Sequence, residues 1–442
     1  MLSRYLETCS IKDGNTNKHI LYSTQSGKIL AISDDIYSIL SKGEQEKVPS
    51  AVFAELKKYK MLSSQSKYGE LKNVLDENND PLNHSDLYTV VQPTAYCPLG
   101  CNYCGQSHKM DRLKETDQDK LVEGIKARFK PHHKSITVCW FGAEPLSNLK
   151  SIEQLSEKLM EFAAAKSVPY NATIVTNGLL LKDKVIEKLF DMRVNKIEIT
   201  LDGSSAFHDK RRFKKDGSPT FTTIYNNLLN LIRKNEGRKN PARIVVRCNV
   251  DKKNLEGVSP LLKTLAKDNI HNKISFYLAP IHSWGNDADK DAAEKQIFAD
   301  EEINWFCEMM ELGFQLSLFP SRRKITCLAT NKSGELVDPY GSTFKCTEVS
   351  LVPTYEKDGK NIHRTGQISS SQRSTSIYES FNKHIEENKV PCHSCKFLPV
   401  CGGFCPKEWM EGRAACPSFK FNMQQRLLLQ YLKEKKVKSE AG

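Results

Sequence analysis

PTAYCPLGCNYCGQ, residues 93–106, places three cysteines within eight residues of a 442-residue chain. Their spacing is Cys97-x3-Cys101-x2-Cys104. A structural zinc ion or a fully ligated 4Fe-4S cluster takes four protein ligands, so three thiolates on one loop leave one metal corner free. A free corner is where a substrate or cofactor binds. Zinc is the alternative metal at this point, because short cysteine clusters often hold it.

The residues that surround this stretch predict a parallel sheet. Six apolar runs alternate with amphipathic helical segments, and they occupy residues 88–97, 135–145, 171–180, 196–204, 243–252 and 273–281. Such alternation is typical of an α/β fold, and we expect a partial (β/α)6 TIM-type barrel over residues 87–315. In a barrel of this kind the chemistry gathers at the carboxyl ends of the strands. The three cysteines directly follow the first run.

Four further motifs lie at the ends of later runs. They are FGAEP (141–145), VTNG (175–178), ITLDG (199–203) and VRCNV (246–250). The carboxylate of Glu144 can accept a charge-assisted hydrogen bond from an ammonium group. Taken one at a time, these polar residues are also typical of surface turns and strand caps, and only their occurrence together indicates a binding site.

The cysteine trio, the aromatic Tyr103 before its last member and the Glu-Pro turn together resemble the signature of the radical S-adenosylmethionine (SAM) superfamily. The resemblance implies that Cys97, Cys101 and Cys104 are catalytic cysteines that hold a 4Fe-4S cluster. The fourth iron then takes the amino and carboxylate groups of SAM. One electron cleaves SAM to a 5′-deoxyadenosyl radical, which abstracts a hydrogen atom from the substrate.

The same resemblance implies which residues contact SAM. The predicted cofactor-binding residues are Tyr103, Gly142, Glu144 (SAM amino group), Thr200 and Asp202 (pocket wall), Arg247 (SAM carboxylate) and Asn249 (SAM ribose). Ala143 stands where the family usually has a second glycine, which alters the freedom of the backbone and leaves the acid in place. The segment Phe207–Arg212 is expected on the substrate side of the barrel mouth.

Residues 316–442 are poor in apolar runs and rich in cysteine. A region without a large apolar core needs another stabiliser, and metal sites are the usual one. Seven cysteines lie here: Cys327, Cys346, Cys392, Cys395, Cys401, Cys405 and Cys416. Their order resembles the SPASM extension of some radical SAM enzymes, which implies two auxiliary 4Fe-4S clusters and three clusters in all. A zinc ribbon within residues 392–405 is the alternative, but it would leave three of the seven cysteines unused.

The SPASM resemblance also implies how the cysteines divide. One cluster would be held by Cys392, Cys395, Cys401 and Cys416, and the other by Cys327, Cys346 and Cys405. Because the second set counts only three, we expect an open corner there or a ligand other than cysteine. The remaining cysteines are predicted to be buried apolar residues; they are Cys9, Cys139, Cys248 and Cys307.

Residues 1–86 are predicted to form a module of their own. Residues 19–33 predict two short strands around Ser26-Gly27, and residues 34–43 and 50–62 predict short helices. This α+β pattern resembles the winged-helix-like element with which peptide-modifying enzymes bind a leader peptide. An extended leader can add to a strand edge of such a module. The alternative is a domain that merely covers the barrel.

SPASM enzymes act mostly on peptides and proteins, so the resemblance implies a peptide maturase. We expect it to install an intramolecular C–C or C–S crosslink in a ribosomally made precursor peptide with a leader sequence, while an auxiliary cluster takes the leftover electron. A flavodoxin- or ferredoxin-type protein is the expected electron donor. Alternatives are formylglycine formation in a sulfatase and peptide epimerisation. Sulfatase-maturing members carry Asp directly after the second tail cysteine, where this chain has Thr347 and then Glu348.

Composition and charge restrict the remaining classes of protein. No run of about 18 apolar residues occurs, and the N-terminus lacks the apolar segment of a signal peptide, so we expect a cytoplasmic protein without a membrane partner. The net charge of +12 is spread over many lysines, and the basic run at residues 432–438 is predicted to be a solvated helix face rather than a nucleic-acid patch. A zinc-bearing nucleic-acid adaptor and a scaffold that uses its clusters only for folding are the rival classes.

Overall fold

The computed structural model describes residues 1–370 and 372–440, with side chains through residue 435. The chain begins with an antiparallel sheet in the order β1-β2-β3, followed by three helices. These elements are β1 (Leu6–Asp13), β2 (Thr16–Ser23), β3 (Ile29–Ser33), α1 (Asp34–Ser41), α2 (Ser50–Lys58) and α3 (Lys67–Asn79). The hairpin around Ser26-Gly27 is present, whereas β1 and α3 lie outside the elements predicted from the sequence. The winged-helix likeness of this part stays a prediction.

The centre of the molecule is a parallel sheet of six strands in chain order. The strands are β4 (Asp86–Val91), β5 (Ser135–Trp140), β6 (Tyr170–Thr176), β7 (Val194–Thr200), β8 (Arg243–Val250) and β9 (Ser275–Pro280). Each pairs in parallel with the next. The helices between and after them are α4 (Glu115–Arg128), α5 (Leu149–Ala165), α6 (Asp183–Asp191), α7 (Ser205–His208), α8 (Phe221–Asn235), α9 (Leu255–Lys267) and α10 (Lys295–Glu311). The predicted α/β class and its parallel-rich sheet are confirmed.

The two faces of this sheet have different partners, because side chains alternate along a strand. On β5, the buried residues Ile136 and Val138 belong to one apolar cluster with Leu155 of α5. Cys139 points the other way and packs in a second cluster, which includes Cys346 and other residues of the C-terminal part. The C-terminal part therefore covers the inner face of the barrel.

The cysteine-rich tail also extends the barrel sheet itself. Its elements are β10 (Gly334–Val337), β11 (Ser342–Phe344), β12 (Glu356–Lys357), β13 (Lys360–Asn361), β14 (Gly366–Gln367), α11 (Phe381–Glu386), α12 (Leu398–Cys401), α13 (Pro406–Met410) and α14 (Phe419–Glu440). Strand β10 pairs in parallel with β4, which gives a nine-stranded sheet in the order β14-β11-β10-β4-β5-β6-β7-β8-β9. The domain boundaries predicted at residues 86 and 315 stay predictions, and strand pairing crosses the second of them.

The last helix joins the two ends of the chain. On α14, the Tyr431 hydroxyl donates to the Asp13 carboxylate of β1 at 2.6 Å, and Arg426 donates to Glu302 of α10 at 2.5 Å. The basic run at 432–438 lies on this helix, and its residues 436–438 lie outside the described side chains. Within the part of the chain that the structure covers, no helix has both the length and the apolar character that a membrane crossing requires.

Candidate active site: a thiol-lined cavity at the barrel mouth

The first cysteine trio lies on the loop after β4 and lines one cavity of about 240 Å³. Cys97 is buried, and Cys101 and Cys104 are half-buried. The cavity wall continues with residues at the carboxyl ends of the next strands, and these are Gly142, Ala143, Thr176, Asn177, Thr200, Arg247 and Asn249. The strand order brings these ends to one edge of the sheet, so the trio and the later motifs meet although the chain separates them by up to 152 residues, from Cys97 to Asn249.

The environment of the three thiols suits a bound metal group. Burial raises the pKa of Cys97 to about 12 and that of Cys104 to about 11. Thiols of this kind stay protonated until a cation displaces the proton, which is what metal binding does. Side-chain donors lie beside two of the sulfurs: Asn177 Nδ2 is 3.7 Å from Cys97 Sγ, and His108 Nε2 is 3.7 Å from Cys104 Sγ.

Arg212 brings a positive charge to the same cavity. It is buried, and burial opposes its charge, but the neighbouring Cys101, Tyr103 and Asp202 raise its pKa well above the usual value. Its Nη1 donates to the Tyr103 hydroxyl at 2.5 Å, whereas its buried Nε has no hydrogen-bond partner within residues 1–370 and 372–440. An unpaired buried donor of this kind is available to an acceptor on a bound group or to an ordered water.

A chain of hydrogen bonds connects four of the predicted cofactor-binding residues. The Tyr103 hydroxyl donates to Asp202 Oδ2 at 2.5 Å. The backbone N–H of Asn249 donates to Asp202 Oδ1 at 2.9 Å, and its side-chain amide donates to Tyr103 at 3.0 Å. Arg247 Nε donates to the side-chain oxygen Oδ1 of Asn249 at 2.7 Å. Asp202 is fully buried behind this wall, so it positions Tyr103 and Asn249 from beneath the cavity surface.

Glu144 is also fully buried, and its carboxylate points into the protein. Its oxygens accept hydrogen bonds from Thr176 Oγ1 at 2.7 Å, the Asn177 N–H at 2.7 Å and the Leu146 N–H at 3.0 Å. Burial raises the pKa of Glu144, and these three donors oppose the rise. The role of Glu144 as acceptor for the SAM amino group stays a prediction, and in this conformation three donors of the chain already contact its oxygens.

Several cavity residues were not predicted as site residues. Arg212 belongs to a segment that we placed on the substrate side. His282 follows β9 by two residues, and its Nε2 contacts both carboxylate oxygens of Glu348, at 3.0 and 3.2 Å. His282, Glu348 and the aromatic Trp284 all line the cavity. The sequence contains one signal for His282: this residue directly follows the last predicted barrel strand, and the site residues of such barrels lie at strand ends.

Four of the seven tail cysteines lie together in one pocket. Cys392, Cys395, Cys401 and Cys416 line one small pocket together with Lys420, whose Nζ is 3.3 Å from Cys416 Sγ. Cys346 lies apart from this pocket. Burial is the largest cause of its raised pKa, and the negative charge of Glu348 adds to the rise. The shared pocket brings together the four cysteines that the SPASM resemblance groups. The grouping of Cys327, Cys346 and Cys405 and the ligation of both clusters stay predictions.

Two of the four isolated cysteines pack near tail cysteines: Cys139 shares an apolar cluster with Cys346, and Cys9 packs against the cluster that Cys395 and Cys401 also contact. Cys139 and Cys248 are buried, and Cys9 and Cys307 are half-buried. No three His, Cys, Asp or Glu side chains in the described ranges are grouped as they would be around a single metal ion. The first trio and the tail quartet are therefore defined by the cavities that their members line.

The thiol-lined cavity lies at the carboxyl edge of the parallel strands. In barrel enzymes this edge holds the active site. Residues 91–246 match the model of the radical SAM superfamily. This part of the chain is a radical SAM domain, and the recognition made from the cysteine motif is confirmed.

Among the proteins similar to the chain are two curated relatives and one protein of known structure. The serine-type anaerobic sulfatase-maturating enzyme of Bacteroides thetaiotaomicron is 28% identical over 170 residues, which are 36% of this chain and 39% of the relative. The radical SAM cyclopropyl synthase TigE of Paramaledivibacter caminithermalis is 20% identical over 265 residues, 52% of this chain and 53% of the relative. The matches thus span between about two fifths and about half of these relatives.

The protein of known structure is native anSMEcpe. With bound AdoMet it has a TM-score of 0.59 and 16% identity over 77% of this chain and 98% of its own. With bound AdoMet and the Kp18Cys peptide it has a TM-score of 0.57 and 17% identity over 78% of this chain and 99% of its own. At these identities the likeness shows a common fold.

Proposed function

We propose that the protein is a radical SAM peptide maturase that installs an intramolecular C–C or C–S crosslink in a precursor peptide. The observation that carries the proposal is the convergence of Cys97, Cys101 and Cys104 on one cavity within the matched radical SAM domain. The matched superfamily and its AdoMet-bound structural neighbour support SAM and an iron-sulfur cluster as the cofactors. With both bound, the superfamily's chemistry supplies a carbon radical that takes a hydrogen atom from an unactivated C–H bond.

The chain's own residues would bind and orient these groups. Cys97, Cys101 and Cys104 would hold the 4Fe-4S cluster with one corner free toward the cavity. Arg212 and Arg247 place two guanidinium groups in the cavity wall, where they suit a carboxylate. Asn177 and His108 lie beside the cluster thiols and would stabilise their ionised form.

The two tail sets would hold auxiliary clusters of SPASM type. A crosslink removes two hydrogens from the substrate, so the step after hydrogen abstraction releases one electron and one proton. Iron-sulfur clusters accept single electrons over a wide range of potentials. Because the tail covers the inner face of the barrel, the auxiliary clusters would lie on the side where the substrate radical forms.

A peptide substrate is supported by the relatives rather than by a signature residue. One relative is named a sulfatase-maturating enzyme, and the solved neighbour is described with a bound peptide. In this chain β1 and β3 are the edge strands of the N-terminal sheet. An extended leader peptide could add to such an edge through its main chain. A flavodoxin- or ferredoxin-type electron donor remains part of the proposal.

Formylglycine formation is the second candidate, because Thr347 and Glu348 both line the cavity. Sulfatase-maturing members have Asp directly after the second tail cysteine. Glu348 is one position later and reaches the cavity, so the chain keeps a carboxylate at this wall. Formylglycine and a crosslink both remove two hydrogens from a serine-containing peptide. Only formylglycine is an aldehyde, which a hydroxylamine reagent detects.

The first experiment replaces Cys97, Cys101 and Cys104 together by Ala. Anaerobic protein with its clusters reconstituted and a strong reductant should cleave SAM, and the triple variant should not, while it keeps the iron of the tail. Cleavage of SAM by the triple variant would contradict the site assignment. About twelve iron atoms per chain are expected for three clusters, and a colourless zinc protein with salt-sensitive nucleic-acid binding would support the rival adaptor instead.

The second experiment identifies the reaction. The protein is co-expressed with a short precursor peptide encoded beside its gene, and the peptide is examined by mass spectrometry. Loss of two hydrogens without reaction toward hydroxylamine supports the crosslink. Loss of two hydrogens with such a reaction supports formylglycine, and an unchanged mass with a changed residue configuration supports epimerisation.

A further inference from the structure

Lys420 brings a positive charge to the pocket of the tail quartet, which consists of Cys392, Cys395, Cys401 and Cys416. Among the described residues that line this pocket, Lys420 is the charged one. Its Nζ lies 3.3 Å from Cys416 Sγ. A lysine ammonium group has three N–H donors, and a cysteine sulfur is a weak acceptor. The contact therefore places a charged donor directly on one sulfur of the quartet.

The backbone on both sides of Lys420 is anchored at the start of α14. The Phe419 ring packs edge-on against the Phe397 ring, with centroids 6.0 Å apart. The buried Asn422 side-chain amide donates to a backbone carbonyl of α10 at 2.8 Å. Because Lys420 lies between these two anchored residues, its side chain extends from a fixed position four residues after Cys416.

No carboxylate compensates the charge of Lys420 in the part of the chain whose side chains are described. There its Nζ has the Cys416 sulfur as its hydrogen-bond partner and forms no ion pair with an Asp or Glu. Lys396, which directly follows Cys395, differs in this respect, because its Nζ pairs with Glu7 at 2.6 Å. Lys420 is exposed, so water and salt weaken its field at longer range. At contact distance the charge still acts on the sulfur.

A positive charge and a hydrogen bond at a cluster sulfur both favour the reduced state of an iron-sulfur cluster. Reduction adds one electron and therefore one negative charge, and no bond forms or breaks. Net charge and hydrogen bonds to the sulfurs are among the factors that set the reduction potential. The other large side chains in the wall of this pocket are the aromatic rings of Phe397, Trp409 and Phe419. Such apolar surroundings strengthen an electrostatic interaction.

We propose that Lys420 raises the reduction potential of the auxiliary cluster at the tail quartet, through its charge and through a hydrogen bond to Cys416 Sγ. The inference rests on the proposed function, because it requires that cluster. Lys420 has no contact with the large cavity and acts on the energy of the transferred electron. It makes the quartet cluster a more favourable acceptor for the electron that the substrate radical releases.

The test uses the full chain with Cys97, Cys101 and Cys104 replaced by Ala, so that only the tail clusters contribute to the electron paramagnetic resonance spectrum. This parent and its Lys420→Met variant are titrated anaerobically with dithionite in the presence of redox mediators. Methionine keeps an unbranched side chain and removes both the charge and the donor. Cys416→Ala, which removes one ligand, identifies the signal of the quartet cluster.

We expect Lys420→Met to lower the midpoint potential of the quartet cluster and to leave that of the other tail cluster unchanged. The reduction equilibrium should change by about tenfold, which corresponds to about 59 mV for one electron. Hydrogen bonds that involve a charged group are among the stronger ones, and the exposure of Lys420 limits the effect. A quartet potential that does not fall in Lys420→Met would overturn the proposal.

Two matched variants keep the assignment specific. Lys420→Arg retains the charge and a donor, and its quartet potential should stay close to that of the parent. Lys433→Met removes the same charge from an exposed position thirteen residues further along α14 and should change neither potential. A fall in Lys420→Arg as large as in Lys420→Met would contradict the role of the charge. Equal shifts of both clusters, or an equal shift in Lys433→Met, would reveal a general charge effect and also overturn the proposal.

Iron content separates failure of this inference from failure of the proposed function. The parent is expected to hold about eight iron atoms, four for each tail cluster. If it holds them and Lys420→Met leaves the quartet potential unchanged, the role of Lys420 is wrong and the auxiliary clusters remain. If the parent holds no tail iron, the auxiliary clusters themselves are contradicted, and the role of Lys420 with them. Circular dichroism of each variant confirms that the fold is retained.

Discussion

At the scale of single residues, the turn after β5 shows how closely the site is packed. Gly142 and Ala143 both have positive φ, +80° and +40°. A Cβ on Gly142 would collide with the Gln92 side chain, so this position requires glycine. Ala143 carries a Cβ in the left-handed region, which costs L-residues about 1–2 kcal/mol. The chain therefore keeps a strained alanine where the radical SAM motif usually has glycine.

Ala143→Gly should stabilise the protein. Relief of the left-handed strain exceeds the extra entropy of glycine in the unfolded chain, and we expect the free energy of unfolding to rise by about 0.5–1 kcal/mol. Urea unfolding followed by circular dichroism measures the change. Ala143→Val serves as the opposing control and should lose stability, because β-branched residues are strongly disfavoured at positive φ. A destabilised glycine variant would show that the Cβ makes a contact worth more than the strain.

Glu144→Ala should be strongly destabilising, independent of any effect on SAM. The substitution leaves Thr176 Oγ1 and the N–H groups of Asn177 and Leu146 without their acceptor. A buried unsatisfied donor costs about 1–3 kcal/mol, so the free energy of unfolding should fall by at least about 3 kcal/mol, measured in urea. The control is Glu115→Ala, which breaks an exposed pair with Lys150 and should leave stability unchanged. Equal stability of the two variants would contradict the buried role of Glu144.

At the scale of elements, the turn between β10 and β11 attaches the tail to the barrel sheet. Asp338 begins this turn and is buried. Its Oδ1 accepts the N–H groups of Tyr340 at 2.9 Å and Ser342 at 2.8 Å. Burial raises the pKa of Asp338 to about 7, against the opposing effect of these two donors. The folded state thus binds a proton at this carboxyl more tightly than the unfolded chain does.

Stability should therefore fall as the pH rises from about 4 to about 7, because in that window the unfolded chain releases a proton that the folded state retains. The contribution is at most about 4 kcal/mol, at about 1.4 kcal/mol for each unit of pKa. Asp338→Asn keeps an oxygen acceptor for both N–H groups and removes the titration. It should flatten the pH dependence of the free energy of unfolding between pH 4 and 8, whereas the exposed control Asp289→Asn should not. A slope unchanged by Asp338→Asn would contradict the shifted pKa.

At the scale of the whole molecule, the tail is packed as part of the barrel. Strand β10 covers the outer edge of β4. Cys346 and Phe344 pack with Cys139 on the inner face of β5. Helix α14 contacts both β1 and α10. These contacts join the first, middle and last parts of the chain. A substitution in the tail is thus expected to alter the packing of residues at the barrel mouth.

Truncation after residue 315 should give a barrel that does not stay soluble. Removal of β10 leaves the backbone groups of β4 unpaired at a sheet edge, and such edges template aggregation. Deletion of the tail also exposes the apolar residues that it covers. Size-exclusion chromatography and thermal unfolding of the fragment, with the full chain as reference, test this expectation. A monomeric fragment that unfolds cooperatively would instead support the predicted boundary at residue 315.

The sequence by itself determined the barrel strands and the first cysteine trio, whereas the division of the tail cysteines follows only from the SPASM resemblance. These features depend on local patterns: apolar runs of strand length between amphipathic segments, and metal-ligand spacings that a single loop can satisfy. Strand β1 escaped prediction because its residues, LETCSIKD, are mostly polar and half-buried.

Only the tertiary structure decided which distant residues share the cavity. Arg212, His282 and Glu348 come from a loop after β7, a loop after β9 and the tail, and they meet because the sheet brings strand ends together and the tail closes over the inner face. The sequence likewise did not predict the buried orientation of Glu144 or the pairing of β10 with β4. Contacts between residues so far apart in the chain depend on the packing of whole elements, and no local pattern of residues encodes them.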